Sequence, residues 1–138
     1  MVYHSCNLSD TEGIAGQVAK RLRPGDCIAL DGELGAGKTQ FVRGLVRALG
    51  GDARSVSSPT YVLLHIYACA DVQMFHLDAY RVAGADDLEA IGFTELLAQG
   101  GITVVEWAAR VRDILPEQTI HIRITAIDES SRRIEVVE

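Results

Sequence analysis

Residues 32–39 read Gly-Glu-Leu-Gly-Ala-Gly-Lys-Thr, a full match to the pattern G-x-x-x-x-G-K-[ST]. This pattern constrains the fold because it works only as a loop between a strand and a helix. Gly32, Gly35 and Gly37 let the backbone curl so that successive N–H groups converge on one point, where phosphate oxygens can be cradled. Lys38 can reach the β- and γ-phosphates of a nucleotide, and the Thr39 hydroxyl can bind Mg²⁺. The flanks agree with the loop. Cys27-Ile-Ala-Leu-Asp31 is a short apolar run, and residues 39–49 carry apolar side chains at helical spacing. Bound phosphates would therefore sit at a helix N-terminus, where free N–H groups and the dipole favour anions. The alternative, a glycine-rich turn with an incidental lysine, is disfavoured in a chain whose only lysines are Lys20 and Lys38.

A chain of 138 residues is expected to form one domain, residues 1–138, large enough to bury a core without disulfide staples. Neither a repeat nor a Pro/Gly-rich linker divides it. Its opening residues have no basic flank and no apolar signal core, and no apolar stretch approaches a membrane span. A cytoplasmic protein without membrane contact is expected. Cys6, Cys27 and Cys69 are widely spaced and lack a C-x-x-C pair, which argues against a zinc site or disulfide framework. Cys27 is expected to pack as a small apolar residue. A net charge of −6 excludes strong unaided binding to nucleic acid, so any RNA would be held mostly by a protein partner. Arg43 and Arg47, four apart on the helix after the loop, share a face that is either solvated or an interaction patch.

The pattern predicts an edge strand over residues 2–8 and a helix over 11–22, capped by Ser9 or Asp10 and stopped by Pro24-Gly25. After the strand-loop-helix unit, Gly50-Gly51 ends the helix and 52–60 is a polar loop. Residues 61–70 and 72–77 read as two strands joined by a tight turn near Asp71. Short helical pieces follow at 86–91 and 93–98, jointed at Gly92. A buried strand is predicted at 102–105, then strands at 119–126 and 133–137 turning at 128–131. The predicted fold class is α/β: a single P-loop NTPase-like domain, its mixed β-sheet flanked by helices, with an inserted hairpin and a C-terminal β-hairpin.

Hydrolysis beside such a loop needs carboxylates at strand ends, to hold Mg²⁺ or its waters and to orient the attacking water. Two apolar runs end that way: Val72-Gln-Met-Phe-His-Leu-Asp78 and Ile102-Thr-Val-Val-Glu106. Asp78 and Glu106 are therefore the candidate metal-centre residues, with their roles interchangeable at this stage. His76 shares a strand face with Asp78 and either orients that carboxylate, relays a proton or serves the core. Thr60 in Ser57-Ser58-Pro59-Thr60 stands where a mobile segment can sense a γ-phosphate; an ordinary turn is the alternative. Trp107 would face away from Glu106 if the strand continued, packing in the core or reporting on nucleotide or partner. With no lysine heading an N/T-K-x-D element, ATP is favoured over GTP. The acceptor pocket and basic lid expected of a small-molecule kinase are not evident.

The order of these motifs resembles the bacterial TsaE family, the small ATPase that supports synthesis of threonylcarbamoyladenosine at position 37 of tRNAs. The resemblance runs through the loop at 32–39, Phe41-Val-Arg-Gly-Leu-Val-Arg-Ala-Leu-Gly50, Ser58-Pro-Thr-Tyr61, His76-Leu-Asp-Ala-Tyr-Arg81 and Val105-Glu-Trp107. It implies that Gly35, Ala36, Gly37, Lys38, Thr39 and Gln40 wrap the phosphates of ATP or ADP, and that Thr39 and Glu106 bind Mg²⁺. It further implies that Asp78 is the carboxylate needed for hydrolysis, that Thr60 belongs to a switch-like loop, and that Thr11 approaches the adenine. The implied partner is the TsaB–TsaD complex, with tRNA met only through it, and ATP turnover supports repeated cycles. Glu33, Gln40 and Ala108 stand where the family usually has Asp, Thr and Pro. A non-hydrolysing nucleotide-sensing adaptor remains the second reading, and a small-molecule kinase the third.

Overall fold

Among the described residues, seven strands form one mixed sheet in the order β1-β7-β6-β2-β5-β4-β3. They are β1 (Val2–Ser5), β2 (Cys27–Asp31), β3 (Leu64–Ala68), β4 (Gln73–Asp78), β5 (Ile102–Glu106), β6 (Ile120–Ala126) and β7 (Arg132–Val137). The α-helices among the described residues are α1 (Leu8–Ala19), α2 (Lys38–Ala48), α3 (Ala85–Ala90) and α4 (Phe93–Ala98), with 3-10 turns at Ala53–Ser55 and Ala108–Ile114. The structure, a computed structural model, describes residues 1–33, 35–57, 64–80 and 82–137. β2 lies at the centre, parallel to β5 and β6, and β4 is parallel to β5. Antiparallel partners close both sides: β3 on β4, and β7 on β6 followed by β1. The expected α/β sheet with a C-terminal hairpin is what forms.

The two cores follow from the period of two along β2. Ile28 and Leu30 join Ile14, Val18, Phe41 and Leu45 under α1 and α2. Cys27 and Ala29 join Leu77, Leu88, Phe93 and Leu96 under α3 and α4. With both faces covered, β2 reads as an unbroken apolar run. Cys27 packs there as expected, and burial pushes its thiol up to about 12. All three cysteines are free. Among the described residues, no helix is long and apolar enough to cross a membrane.

Several boundaries differ from the sequence reading. β1 stops at Ser5 because Asn7, rather than Ser9 or Asp10, caps α1: its side chain accepts from the Asp10 N–H at 2.8 Å. The Asp10 carboxylate reaches back to the Cys6 N–H at 3.0 Å. That reciprocal arrangement starts the helix at Leu8, three residues earlier than predicted. α1 also ends sooner, at Ala19, and the chain then tightens through bonds from the Arg21 and Leu22 N–H groups to Val18 and Ala19. β5 runs one residue further than predicted and includes Glu106. The proposed start of the inserted hairpin at 61–63 lies outside the described residues; its turn at Asp71 is closed by Cys69 N–H to Val72 O at 3.0 Å.

Candidate functional site

The loop leaves the C-terminal end of β2 and enters α2. Gly35 and Gly37 adopt φ of +80° and +107°, the left-handed conformation that side chains resist. Gly32 contributes by closeness instead: a Cβ there would stand 2.7 Å from the Ile124 carbonyl oxygen. Gly37 precedes the first turn of α2 and offers no side-chain cap. The first N–H groups of an eleven-residue helix thus point toward the cleft outside the strand ends, the usual ligand position in open α/β sheets.

Lys38 is nearly buried, with 6% of its side chain exposed. Its Nζ donates to the Gly32 carbonyl at 2.6 Å, lies 3.8 Å from Glu106 Oε1 and stands 4.0 Å from the Trp107 ring centroid. Burial pulls its pKa below the ordinary lysine value; the negative charges of Glu106, Asp78, Asp31 and Glu33 oppose that shift without cancelling it. The cationic head therefore sits in a pocket walled by carboxylates.

The two predicted carboxylates meet here because the sheet brings their strands together. Asp78 and Glu106 are register partners at the ends of β4 and β5, and Glu106 also pairs with Leu30 of β2. Both are buried. Asp78 Oδ1 accepts the Tyr80 N–H at 2.7 Å, while Oδ2 is buried and has no hydrogen-bond partner among the described residues. Buried polar atoms are normally satisfied, so that oxygen lacks its usual donor among the described residues.

Other expected positions are distributed differently. Thr39 lines one cleft of about 380 Å³ with Gly35, Lys38, Glu106 and Trp107. Thr11 lines an adjoining cleft of about 300 Å³ with Asn7 and Ser130, and its hydroxyl shares a 2.7 Å hydrogen bond with Ser5. Leu8, Gly37, Gln40 and Arg132 border both clefts. The Gln40 side chain is tied to Glu12 of α1 and, at 3.3 Å, to Arg43. Glu12 also pairs with Arg47, whose side chain stays 65% exposed, while Arg43 donates to the Val56 carbonyl at 3.3 Å. Thr60, the rest of Ser58-Pro-Thr-Tyr61, and Arg81 lie outside the described residues.

The strand that would have turned Trp107 away from Glu106 does not continue. The strand ends at Glu106, and Trp107 takes φ 56° and ψ 40°, the only left-handed non-glycine among the described residues. That turn swings the indole over Lys38, and its ring also packs 5.0 Å from Tyr80. His76 differs as well: its bond is to Glu106 on the neighbouring strand, at 2.5 Å, instead of to Asp78.

Two residues escaped the sequence reading. Asp31, ending β2, accepts the Ala108 N–H at 3.0 Å and so holds the chain just beyond Trp107. Its place at the end of an apolar run was a usable signal. Arg132, opening β7, donates through Nε to the Ala36 carbonyl at 2.7 Å and through a terminal nitrogen to the Gly35 carbonyl at 3.3 Å. It also binds the Asp128 carbonyl at 2.8 Å, clamping the loop to the β6–β7 turn. Nothing local in the sequence marks a contact across 96 positions.

Comparison with known proteins agrees with this architecture. The family model described as "Threonylcarbamoyl adenosine biosynthesis protein TsaE" matches residues 5–134. The "tRNA threonylcarbamoyladenosine biosynthesis protein TsaE" of Treponema pallidum is 36% identical over 132 residues, covering 96% of this chain and 96% of that protein. The Bacillus subtilis protein of the same name is 34% identical over 132 residues, covering 96% of this chain and 82% of its own length. The crystal structure of Bacillus subtilis YdiB aligns with a TM-score of 0.77 at 29% identity, covering 97% of this chain and 82% of that one. By sequence match along nearly its whole length, and by fold, this chain belongs to the TsaE family.

Proposed function

We propose that this protein binds Mg-ATP in the loop cleft and hydrolyses it slowly, as the ATPase subunit that lets the TsaB–TsaD complex cycle during threonylcarbamoyladenosine synthesis on tRNA. The observation that carries this reading is the convergence of Lys38, Asp78 and Glu106 at neighbouring strand ends, beside the N-terminus of α2. Backbone N–H groups from Gly35 to Gln40 would wrap the phosphates, and Lys38 would neutralise the β- and γ-phosphates. The Thr39 hydroxyl and Glu106 would hold Mg²⁺; oxygen donors of this kind suit a small hard cation. The metal would supply charge neutralisation at the phosphates. Asp78, with its unpartnered buried Oδ2, would orient the attacking water. Thr11 would face the adenine from the adjoining cleft. Thr60 would belong to a segment that senses the γ-phosphate. Because the net charge is −6, tRNA would be reached through the partner proteins.

One observation favours a second reading, a nucleotide-sensing adaptor that does not hydrolyse. The Lys38–Trp107–Tyr80 stack leads from the loop lysine to a tyrosine that is 38% exposed, a route by which occupancy could be read at the surface. Single-turnover hydrolysis with and without TsaB–TsaD separates the two. The phosphate-loop reading itself is tested by Lys38→Ala. Nucleotide affinity should fall at least tenfold, about 1.4 kcal/mol, with the circular dichroism of the fold retained. Unchanged affinity overturns it.

A further inference from the structure

Glu106 is held from behind by a buried hydrogen-bond chain. His76 is completely buried in β4, its Nε2 2.5 Å from Glu106 Oε2 and its Nδ1 3.0 Å from the Tyr67 hydroxyl. Tyr67, in β3, is itself 4% exposed, and its hydroxyl lies 3.2 Å from His65 Nδ1 and 3.3 Å from the Ser57 carbonyl oxygen. The chain therefore crosses three adjacent strands, from β5 to β3.

The directions of these bonds follow from what each atom can do. A carboxylate oxygen only accepts, so Nε2 carries a proton; in a neutral ring, Nδ1 then accepts from the Tyr67 hydroxyl at 3.0 Å, the shorter of two contacts that share its single proton, the other being the Ser57 carbonyl at 3.3 Å. The carboxylate thus sets the tautomer, and the tyrosine, in contact with the other ring nitrogen, holds the tilt of the imidazole. The imidazole in turn occupies Oε2 of Glu106. Oε1 is left as the oxygen facing Lys38, 3.8 Å away in the loop cleft. Without the tether, the carboxylate could rotate about its terminal bond and exchange the two oxygens.

A ring with two polar nitrogens is an expensive choice for a site with no exposure unless both are satisfied, and an apolar side chain would fill the space more cheaply. A purely architectural hydrogen bond would explain the burial, and would have no reason to end on the carboxylate whose other oxygen lies 3.8 Å from the loop lysine. Carboxylates that bind metals are commonly oriented by such outer partners, whose loss weakens metal affinity about 10–100-fold.

We propose that His76, fixed by Tyr67, is a positioning residue that presents Glu106 Oε1 to the metal bound with nucleotide. The proposal rests on the Mg-ATP reading above. Its test is calorimetric titration of ADP onto the full chain, in EDTA and across a Mg²⁺ series, for wild type, His76→Leu, His76→Gln, Tyr67→Phe and Glu106→Gln. In wild type, Mg²⁺ should tighten ADP binding. In His76→Leu the half-saturating Mg²⁺ should rise about 10–100-fold while ADP affinity in EDTA stays the same. Tyr67→Phe should shift it in the same direction by less. His76→Gln, whose amide can donate to Oε2, should recover most of the loss.

Full Mg²⁺ dependence in both Tyr67→Phe and His76→Leu, which has no donor, overturns the proposal. So does an affinity loss of equal size with and without Mg²⁺, which marks a structural role. Should His76→Leu fail to fold, Tyr67→Phe decides: an unshifted Mg²⁺ requirement overturns the proposal and a raised one supports it. A wild type indifferent to Mg²⁺, matched by Glu106→Gln, overturns the metal reading itself and the proposal with it.

Discussion

Lys38 sits where its charge is poorly hydrated, and that has a consequence measurable without any ligand. Burial lowers its proton affinity in the folded chain relative to the ordinary value of 10.5, against the opposing pull of Glu106, Asp78, Asp31 and Glu33. Between the folded-state value and 10.5 the unfolded chain therefore binds more protons, so stability contributed at this site rises with pH through that window. Lys38→Met removes the titration. In urea unfolding across the alkaline range, wild type should gain stability relative to Lys38→Met as pH climbs; parallel curves would contradict the burial argument. The neighbouring carboxylates should separate by role. Glu106→Ala is expected to weaken the Mg²⁺ dependence of nucleotide binding, whereas Asp78→Asn should spare binding and chiefly lower the hydrolysis rate. Trivial effects of both would make them structural residues. The positions of Asp78 and Glu106 were readable because each ends an apolar run. That they would be register partners was not, since strand order is a long-range property of the sheet. Trp107 would face away from Glu106 only if the strand continued, and the chain leaves β5 at that residue through a left-handed turn that a local pattern does not show.

At the scale of elements, the contact between α1 and α2 is set by the missing side chain at Gly44. A Cβ at that position would come within 2.7 Å of Ala15 Cβ and 2.8 Å of the Glu12 backbone. Backbone cannot rotate away, so Gly44→Ala must push the helices apart. The expected cost is about 1–3 kcal/mol, typical of overpacking. The same displacement would disturb Glu12, which holds Gln40 at the start of α2, so ADP affinity should fall together with the melting temperature. A variant as stable as wild type would show that α1 is free to move. Sequence periodicity located both helices, but the glycine reads locally only as a weak helix former. Its purpose becomes visible only once α1 lies against it. The α1 boundary was misplaced for a related reason. Asn7 and Asp10 are both good capping residues, and only the pair of bonds they make with Asp10 N–H and Cys6 N–H shows which one is the cap.

Across the whole molecule, groups from distant parts of the chain surround one loop: Arg132 from the last strand, Glu106 from the end of the fifth and Trp107 just beyond it, and Glu12 from the first helix acting through Gln40. Arg132 clamps the loop through its carbonyls, a task that holds its guanidinium at Gly35 and Ala36. A group that stabilises charge on a transferring phosphate must instead be free to reach it, and enzymes of this class often receive one, or an ordered loop, from a partner. The isolated protein is therefore expected to hydrolyse ATP slowly, and TsaB–TsaD to change both the rate and the surroundings of Trp107. Trp107 is the single tryptophan of the chain, packed between Lys38 and the partly exposed Tyr80, so its emission samples the loop and the surface together. Adding Mg-ATP should shift that emission, and adding the partners should shift it further while raising turnover. Tyr80→Ala should weaken the partner-induced shift and leave the nucleotide-induced one. Emission blind to both additions, with turnover already fast in the protein alone, would replace the partner-gated ATPase with a self-sufficient phosphotransfer enzyme.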